Sequence, residues 1–291
     1  MPDDDQTFQD QESTTLLRQL VAQVPDLRAR EQAIVRAETK GSGSHAEFDS
    51  RHKFGRFIWE LSAQALGVAG DHLDTWRRLI EDAQVQPGFA HVTIARGAIE
   101  TSSFCRWLVD PTLNSAERIR RGVAAQLDDW HERDLWERAS GADKMPRVGN
   151  GRTGAERMKE LVAGRSAAGV GEIQVPRLIE LCRRYAGDGA FGGEALYRLA
   201  SAFAHGKQWT LLVSSAELPD GAAPDEPGPR RVTALDTVSA LVTFGAVRTF
   251  AAAVSDFEAY ATSEARPVGL VSSPPGLTKR RRTRSRNSIG Q

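Results

Sequence analysis

Glu194, Arg198, Ser201 and His205 are separated by four, three and four residues. On a helix that spacing puts all four on one stripe. The row holds a carboxylate, a guanidinium, a hydroxyl and an imidazole. An imidazole exchanges protons near neutral pH, and a guanidinium holds anions through paired N–H donors. Proton transfer beside a bound anion is therefore the chemistry open to such a row. Glu194 precedes Arg198 in the favourable order for an i, i+4 ion pair. His205 falls in the last turn, where the helix dipole favours its protonated form. Leu196, Leu199, Ala200 and Phe203 occupy the opposite side and predict a core-facing stripe. The row also fits a solvated helix face, with a surface ion pair and a histidine that closes the helix before Gly206.

Other motifs are less complete. Gly149-Asn-Gly151-Arg-Thr-Gly154 matches G-x-G-x-x-G. That pattern cradles a pyrophosphate when an apolar strand leads into it and a helix follows. Here DKMPRV leads in, so the segment reads as a loop. The six histidines, at 45, 52, 72, 91, 131 and 205, include no pair at the helical ligand spacing of three or four. Asp128, Asp129, Glu132 and Asp134 could chelate a cation, but Arg133 and Arg138 beside them supply ion pairs. No G-x-S-x-G elbow is present. No metal and no cofactor is expected.

The C-terminal run KRRRTRSR holds Lys279, Arg280, Arg281, Arg282, Arg284 and Arg286 with no acid among them. It could grip nucleic-acid phosphates without sequence preference, or be a solvated terminus. The acidic start, Asp3, Asp4, Asp5, Asp10 and Glu12, could fold over it and cancel it.

These residues need a scaffold. The chain has 291 residues, with 38 Lys+Arg balanced by 38 Asp+Glu. That balance excludes a generally basic nucleic-acid coat. Two cysteines, Cys105 and Cys182, exclude a disulfide framework and read as small core residues. The acidic N-terminus has no apolar stretch of the secretory kind. The longest apolar tract, residues 238–254, is interrupted by Thr243, Gly245, Arg248 and Thr249. It reads as a buried helix and not a membrane span. A cytoplasmic protein with no membrane partner is expected.

Apolar spacing is helical almost throughout. Residues 16–24 form an amphipathic helix that Pro25 breaks, and a polar helix follows over 27–40. GSGS at 41–44 reads as a flexible joint. Helices are then expected over 48–66 and after an N-cap at Asp71, and over 89–110 before Pro111. Asn114 is expected to cap a helix to about residue 139, whose alternating Arg and acidic face predicts solvent exposure. A Gly/Pro-rich loop covers 141–154, and a weaker helix follows to about 163. Pro176 starts another helix, and Gly206 ends the one that carries the polar row. WTLLVSS, at 209–215, is the one run that could be a strand. A Pro/Gly/Asp linker spans 217–230, and a last long helix spans 232–262. The fold class is all-α, a multi-helix bundle with flexible N- and C-terminal tails. The expected division is 1–44 (acidic start, helical segment and joint), 45–263 (bundle) and 264–291 (disordered basic tail).

Arg198-Leu-Ala-Ser-Ala-Phe-Ala-His205, near the end of a bundle helix, resembles the Arg-x4–6-His signature of the HEPN superfamily. The chain is also similar to helical proteins of high-GC bacteria that end a helix in Ala-His-Gly, a likeness that carries no activity. The HEPN resemblance implies an all-α fold and a metal-independent ribonuclease of a bacterial toxin or defence system. It also implies a homodimer in which Arg and His from both chains form one cleft, with RNA as the partner. His205 would then serve as general base or acid, and Arg198 would stabilise the charged phosphate. Glu194 would orient Arg198, and Ser201 would hold a phosphate oxygen or a water. Leu199 stands where the active families carry a polar residue. Two other classes fit the same sequence. One is a noncatalytic interaction module acting through the helices around Trp59, Trp76 and Trp107. The other is a small-ligand sensor with a pocket lined by His91, Arg96 and Glu100.

Overall fold

The computed structural model of the chain describes residues 4–37, 40–85, 89–142, 151–187, 192–210 and 236–264. Among the described residues the chain is an all-α bundle of ten helices with no strand. They are α1 (Asp4–Val21), α2 (Val24–Arg36), α3 (His45–Ser50), α4 (Arg56–Glu81), α5 (Ala90–Val109), α6 (Ser115–Ser140), α7 (Gly154–Ala167), α8 (Leu178–Tyr185), α9 (Gly193–Ala204) and α10 (Asp236–Thr262).

The central helix is α5. It packs along α4 and α10 and also supports α8 and α9. Its buried face mixes large Val92, Ile99 and Leu108 with small Ala95, Ala98 and Ser102, which lets neighbouring axes approach. Trp76 of α4 is fully buried, and its Nε1 donates to Thr243 Oγ1 of α10 at 2.8 Å. Helix α10 is long and apolar enough to cross a membrane by length and composition, yet 67% of that stretch is buried inside the bundle.

The first two helices join the same core. Leu20, Val24 and Leu27 belong to one buried cluster with α4, α5 and α10. The 41–44 stretch is docked and is not a loose joint. Gly41 N–H donates to Ala261 O at 2.9 Å, and His45 N–H donates to Ser263 O at 3.2 Å. Ser44 is fully buried and caps α3 by accepting from Glu47 N–H.

Asp71 starts no helix, because α4 runs straight through it. The glycine before it serves packing. A Cβ on Gly70 would stand 2.2 Å from Arg28 Nη1 of α2. The break comes earlier, between α3 and α4, and leaves Phe48 half exposed on α3. The expected strand begins with helical residues 208–210. Residues 211–215, the 217–230 linker and the basic tail lie outside the described residues.

Helix α6 starts as expected, with Asn114 Oδ1 accepting from Glu117 N–H at 2.9 Å. Its charged face is not all solvated. Arg118 is 1% exposed and meets Asp49 of α3, itself fully buried, with contacts of 2.7 and 3.2 Å. Its remaining donors reach Leu113 O and His45 Nδ1, and its guanidinium covers the Tyr260 ring. Arg121 is also buried. It donates to Trp107 O at 2.7 Å and lies 3.3 Å from the Tyr185 hydroxyl, which donates to Asp110 at 2.8 Å.

A guanidinium has no acceptor, so His45 Nδ1 must accept from Arg118 and is held neutral there. Burial, and then the Arg118 charge, push the His45 pKa below its ordinary value of 6.5. The unfolded chain therefore takes up this proton first as pH falls. Stability from His45 is complete above about pH 6.5 and is lost as the pH drops toward the folded-state value. Thermal unfolding should show Tm falling below that pH, ahead of the carboxylate range. His45→Asn, which keeps an acceptor but does not titrate, should remove this upper limb; an unchanged profile would contradict the assignment.

Candidate functional site

Helix α9 is held by its apolar side. Leu196, Ala200 and Phe203 are buried, and Leu199 is partly so. Its start is wedged against α8: a Cβ on Gly193 would fall 1.8 Å from the Cys182 carbonyl oxygen, so only glycine permits this approach. Helix α8 is in turn anchored by buried Leu181, Cys182 and Tyr185. The turn after it depends on Gly187, whose φ of +99° suits glycine and whose α-carbon faces Arg248 of α10. Arg248 donates to Ala186 O at 3.0 Å. At the other end, Gly206 N–H bonds Phe203 O and Lys207 N–H bonds Ala202 O. With Gly206 at φ +59°, this is a Schellman closure and His205 is its C-cap.

The outward face bears the polar row. Arg198 Nε donates to Glu194 Oε1 at 2.9 Å. Arg183 of α8 donates to the other oxygen, Glu194 Oε2, at 2.5 Å. One carboxylate thus holds two guanidiniums from two helices. The hydrogen bonds from Arg183 and then Arg198 keep the Glu194 carboxyl below its usual range. Both arginines remain open to solvent, with side chains 59% and 65% exposed. Ser201 is half-buried and His205 is exposed. The helix between Arg198 and His205 is unbroken, so their backbones stand roughly 10.5 Å apart along its axis. Within one chain the structure joins Glu194 to Arg198 and leaves His205 apart from both.

Arg183 is the site residue that the sequence reading misses. Its partner lies 11 positions on, across a connection between helices. The pair RR in LIELCRRY is the available signal, and it says nothing of Glu194. The basic tail, Lys279 to Arg286, lies outside the described residues.

The described end of the glycine motif and two of the four acidic candidates, Asp129 and Asp134, have structural partners. Gly154 N–H at the start of α7 donates to Glu137 Oε2 at 2.8 Å, and Thr153 and Glu156 cap each other. An internal carboxylate therefore already occupies the N-terminus of α7 at Gly154, while Gly149 and Asn150 lie outside the described residues. Asp134 pairs with Arg138 at 2.6 Å, and Asp129 accepts from Gln126. Among the described residues, no group of three His, Cys, Asp or Glu could hold a metal ion.

The three residues of the alternative sensor reading are engaged in packing and pairing. His91 is 1% exposed, stacked on Trp76 at 5.0 Å and hydrogen-bonded to Ser239. Arg96 and Glu100 pair with each other at 2.6 Å. A cleft of about 230 Å³ lies elsewhere, between Leu17 and Arg18 of α1 and Ile80 of α4. Trp76 and Trp107 are buried, and Trp59 is partly so and packs on Phe257, so these three serve the core. The tryptophans that face solvent are Trp136, 61% exposed, and Trp209, 45% exposed.

The fold and site therefore define an all-α bundle with a charged, solvent-exposed face on α8 and α9. No family model, no curated protein and no solved structure matches the chain.

Proposed function

We propose that this protein is a HEPN-like, metal-independent ribonuclease whose site forms where the α9 faces of two chains meet. The observation that carries the reading is the outward presentation of Arg198 and His205 on one rigid stripe. An unbroken helix keeps the two apart within a chain, and antiparallel pairing about a two-fold axis would bring each arginine to the histidine of the other. Solvent-exposed arginines on that face suit an extended polymer.

The chemistry follows from the groups. His205 takes the proton from a ribose 2′-OH as the 2′-oxygen attacks phosphorus. The P–O5′ bond breaks, and the leaving oxygen takes a proton from solvent water. Arg198 supplies bidentate donors to the charge that builds on the phosphorus oxygens. The products are a 2′,3′-cyclic phosphate and a 5′-hydroxyl. Such an activity would suit a bacterial toxin or defence system.

The test is cleavage of mixed RNA in EDTA by wild type and by a folded His205→Ala variant. Wild-type cleavage that the variant loses supports the reading. No wild-type cleavage, or equal cleavage by both, contradicts it. A second reading, a noncatalytic interaction module, draws on one feature. Glu194 already satisfies Arg198, and exposed Trp209 lies just beyond the same helix.

A further inference from the structure

We propose that Arg183, Glu194 and Arg198 form a preorganised clamp for a phosphate of single-stranded RNA, with Arg183 the contact that no sequence motif marks. This rests on the reading of the α9 face as an RNA-binding surface. A free arginine on a surface loses considerable rotamer freedom when it grips an anion. Here one carboxylate removes that cost for two arginines at once. Glu194 takes the Nε donor of each, through a different oxygen for each helix. Arg183 keeps both terminal nitrogens, and Arg198 keeps a terminal nitrogen, for an incoming anion. Two positive charges against one negative leave the trio cationic.

The surroundings favour a nucleic acid. Arg184, 59% exposed, stands next to Arg183, and exposed Lys207 lies beyond His205. Trp209 is 45% exposed at the same end. Cations that hold a backbone together with an open aromatic ring for a base are what a single strand requires. Arg183 and Arg198 act on the phosphate, and Glu194 is a positioning residue.

Binding and cleavage can be separated by a short 2′-O-methyl RNA, which lacks the attacking hydroxyl. Fluorescence anisotropy over a salt series would use the full chain and variants that keep the wild-type Tm. Arg183→Ala should weaken binding about tenfold and lower the log–log salt slope by about 0.7. Arg183→Lys should keep the slope yet bind more weakly, since a charge remains without the fixed fork. Glu194→Gln is the discriminating variant. It adds one unit of positive charge, so a simple charge patch would bind RNA more tightly. The clamp predicts weaker binding, because both guanidiniums lose their common anchor. Tighter or unchanged binding by Glu194→Gln, unchanged binding by Arg183→Ala, or preference for an acidic phosphopeptide over RNA would overturn the proposal. RNA that is bound through Arg183 but never cleaved would overturn the nuclease reading and leave the clamp standing. RNA that is cleaved while Arg183→Ala binds normally would do the reverse.

Discussion

Asp49→Ala will lower the stability of the bundle by about 3–5 kcal/mol, because it strands the Arg118 guanidinium without its counter-charge. Arg118 is 1% exposed and Asp49 is fully buried, so water cannot replace the lost carboxylate. The pair also joins distant parts of the chain. Asp49 belongs to α3, Arg118 to α6, and Tyr260 beneath the guanidinium to α10. Losing it releases α3 from α6 and from the end of α10, where Gly41 and His45 are also fastened. At roughly 2–4 °C per kcal/mol for a large domain, Tm should fall by about 10 °C in a thermal melt. Arg118→Met with Asp49→Leu should recover much of the loss, since a buried ion pair is often replaceable by apolar groups. A change below about 1 kcal/mol in Asp49→Ala would mean that the pair behaves as a solvated one, and would contradict this account.

His205→Ala will reduce the RNA-cleavage rate by a factor of about 10² to 10⁴, the range for removal of a general acid or base. The fold should be untouched. His205 is exposed at the end of α9, and the helix is closed there by backbone bonds to Gly206 and Lys207. The unfolding free energy should therefore stay within about 0.5 kcal/mol of the wild-type value, as for other surface changes. Activity lost without stability is the signature that separates catalysis from structure. His205→Gln, which retains polarity but does not titrate, should be as inactive as alanine. If glutamine restored the rate, His205 would be a binding group only.

The sequence and the structure agree where local signals decide the conformation. Asn114 caps α6, Pro111 stands just beyond α5, and the Gly206 closure of α9 matches the expected stop. The stripe of Glu194 and Arg198 opposite Leu196, Ala200 and Phe203 was legible for the same reason, since helical period alone separates the two faces. The sequence misleads where a residue serves a neighbour far along the chain. Gly70 and Asp71 look like a helix break, but Gly70 is small to admit Arg28 of another helix. Arg118 and Arg121 look solvated on an alternating charged face, yet their partners are Asp49, Trp107 and Tyr185. Arg183 escapes for the same reason. A pattern of period 3.6 reports which side of a helix is apolar, but not which distant group will meet a polar one.

The account rests most directly on the claim that two chains share each site, and mixing inactive chains tests it. Arg198→Ala and His205→Ala proteins are each assayed alone in EDTA, then unfolded together, refolded and assayed again. In a two-fold dimer, half of the mixed dimers contain one chain of each kind, and one of their two sites then has both an intact Arg198 and an intact His205. The mixture should recover about a quarter of wild-type activity. Recovery on that scale, from two proteins that are inactive apart, is the result the account predicts. A mixture as inactive as its components, beside an active and identically refolded wild type, would contradict the shared site.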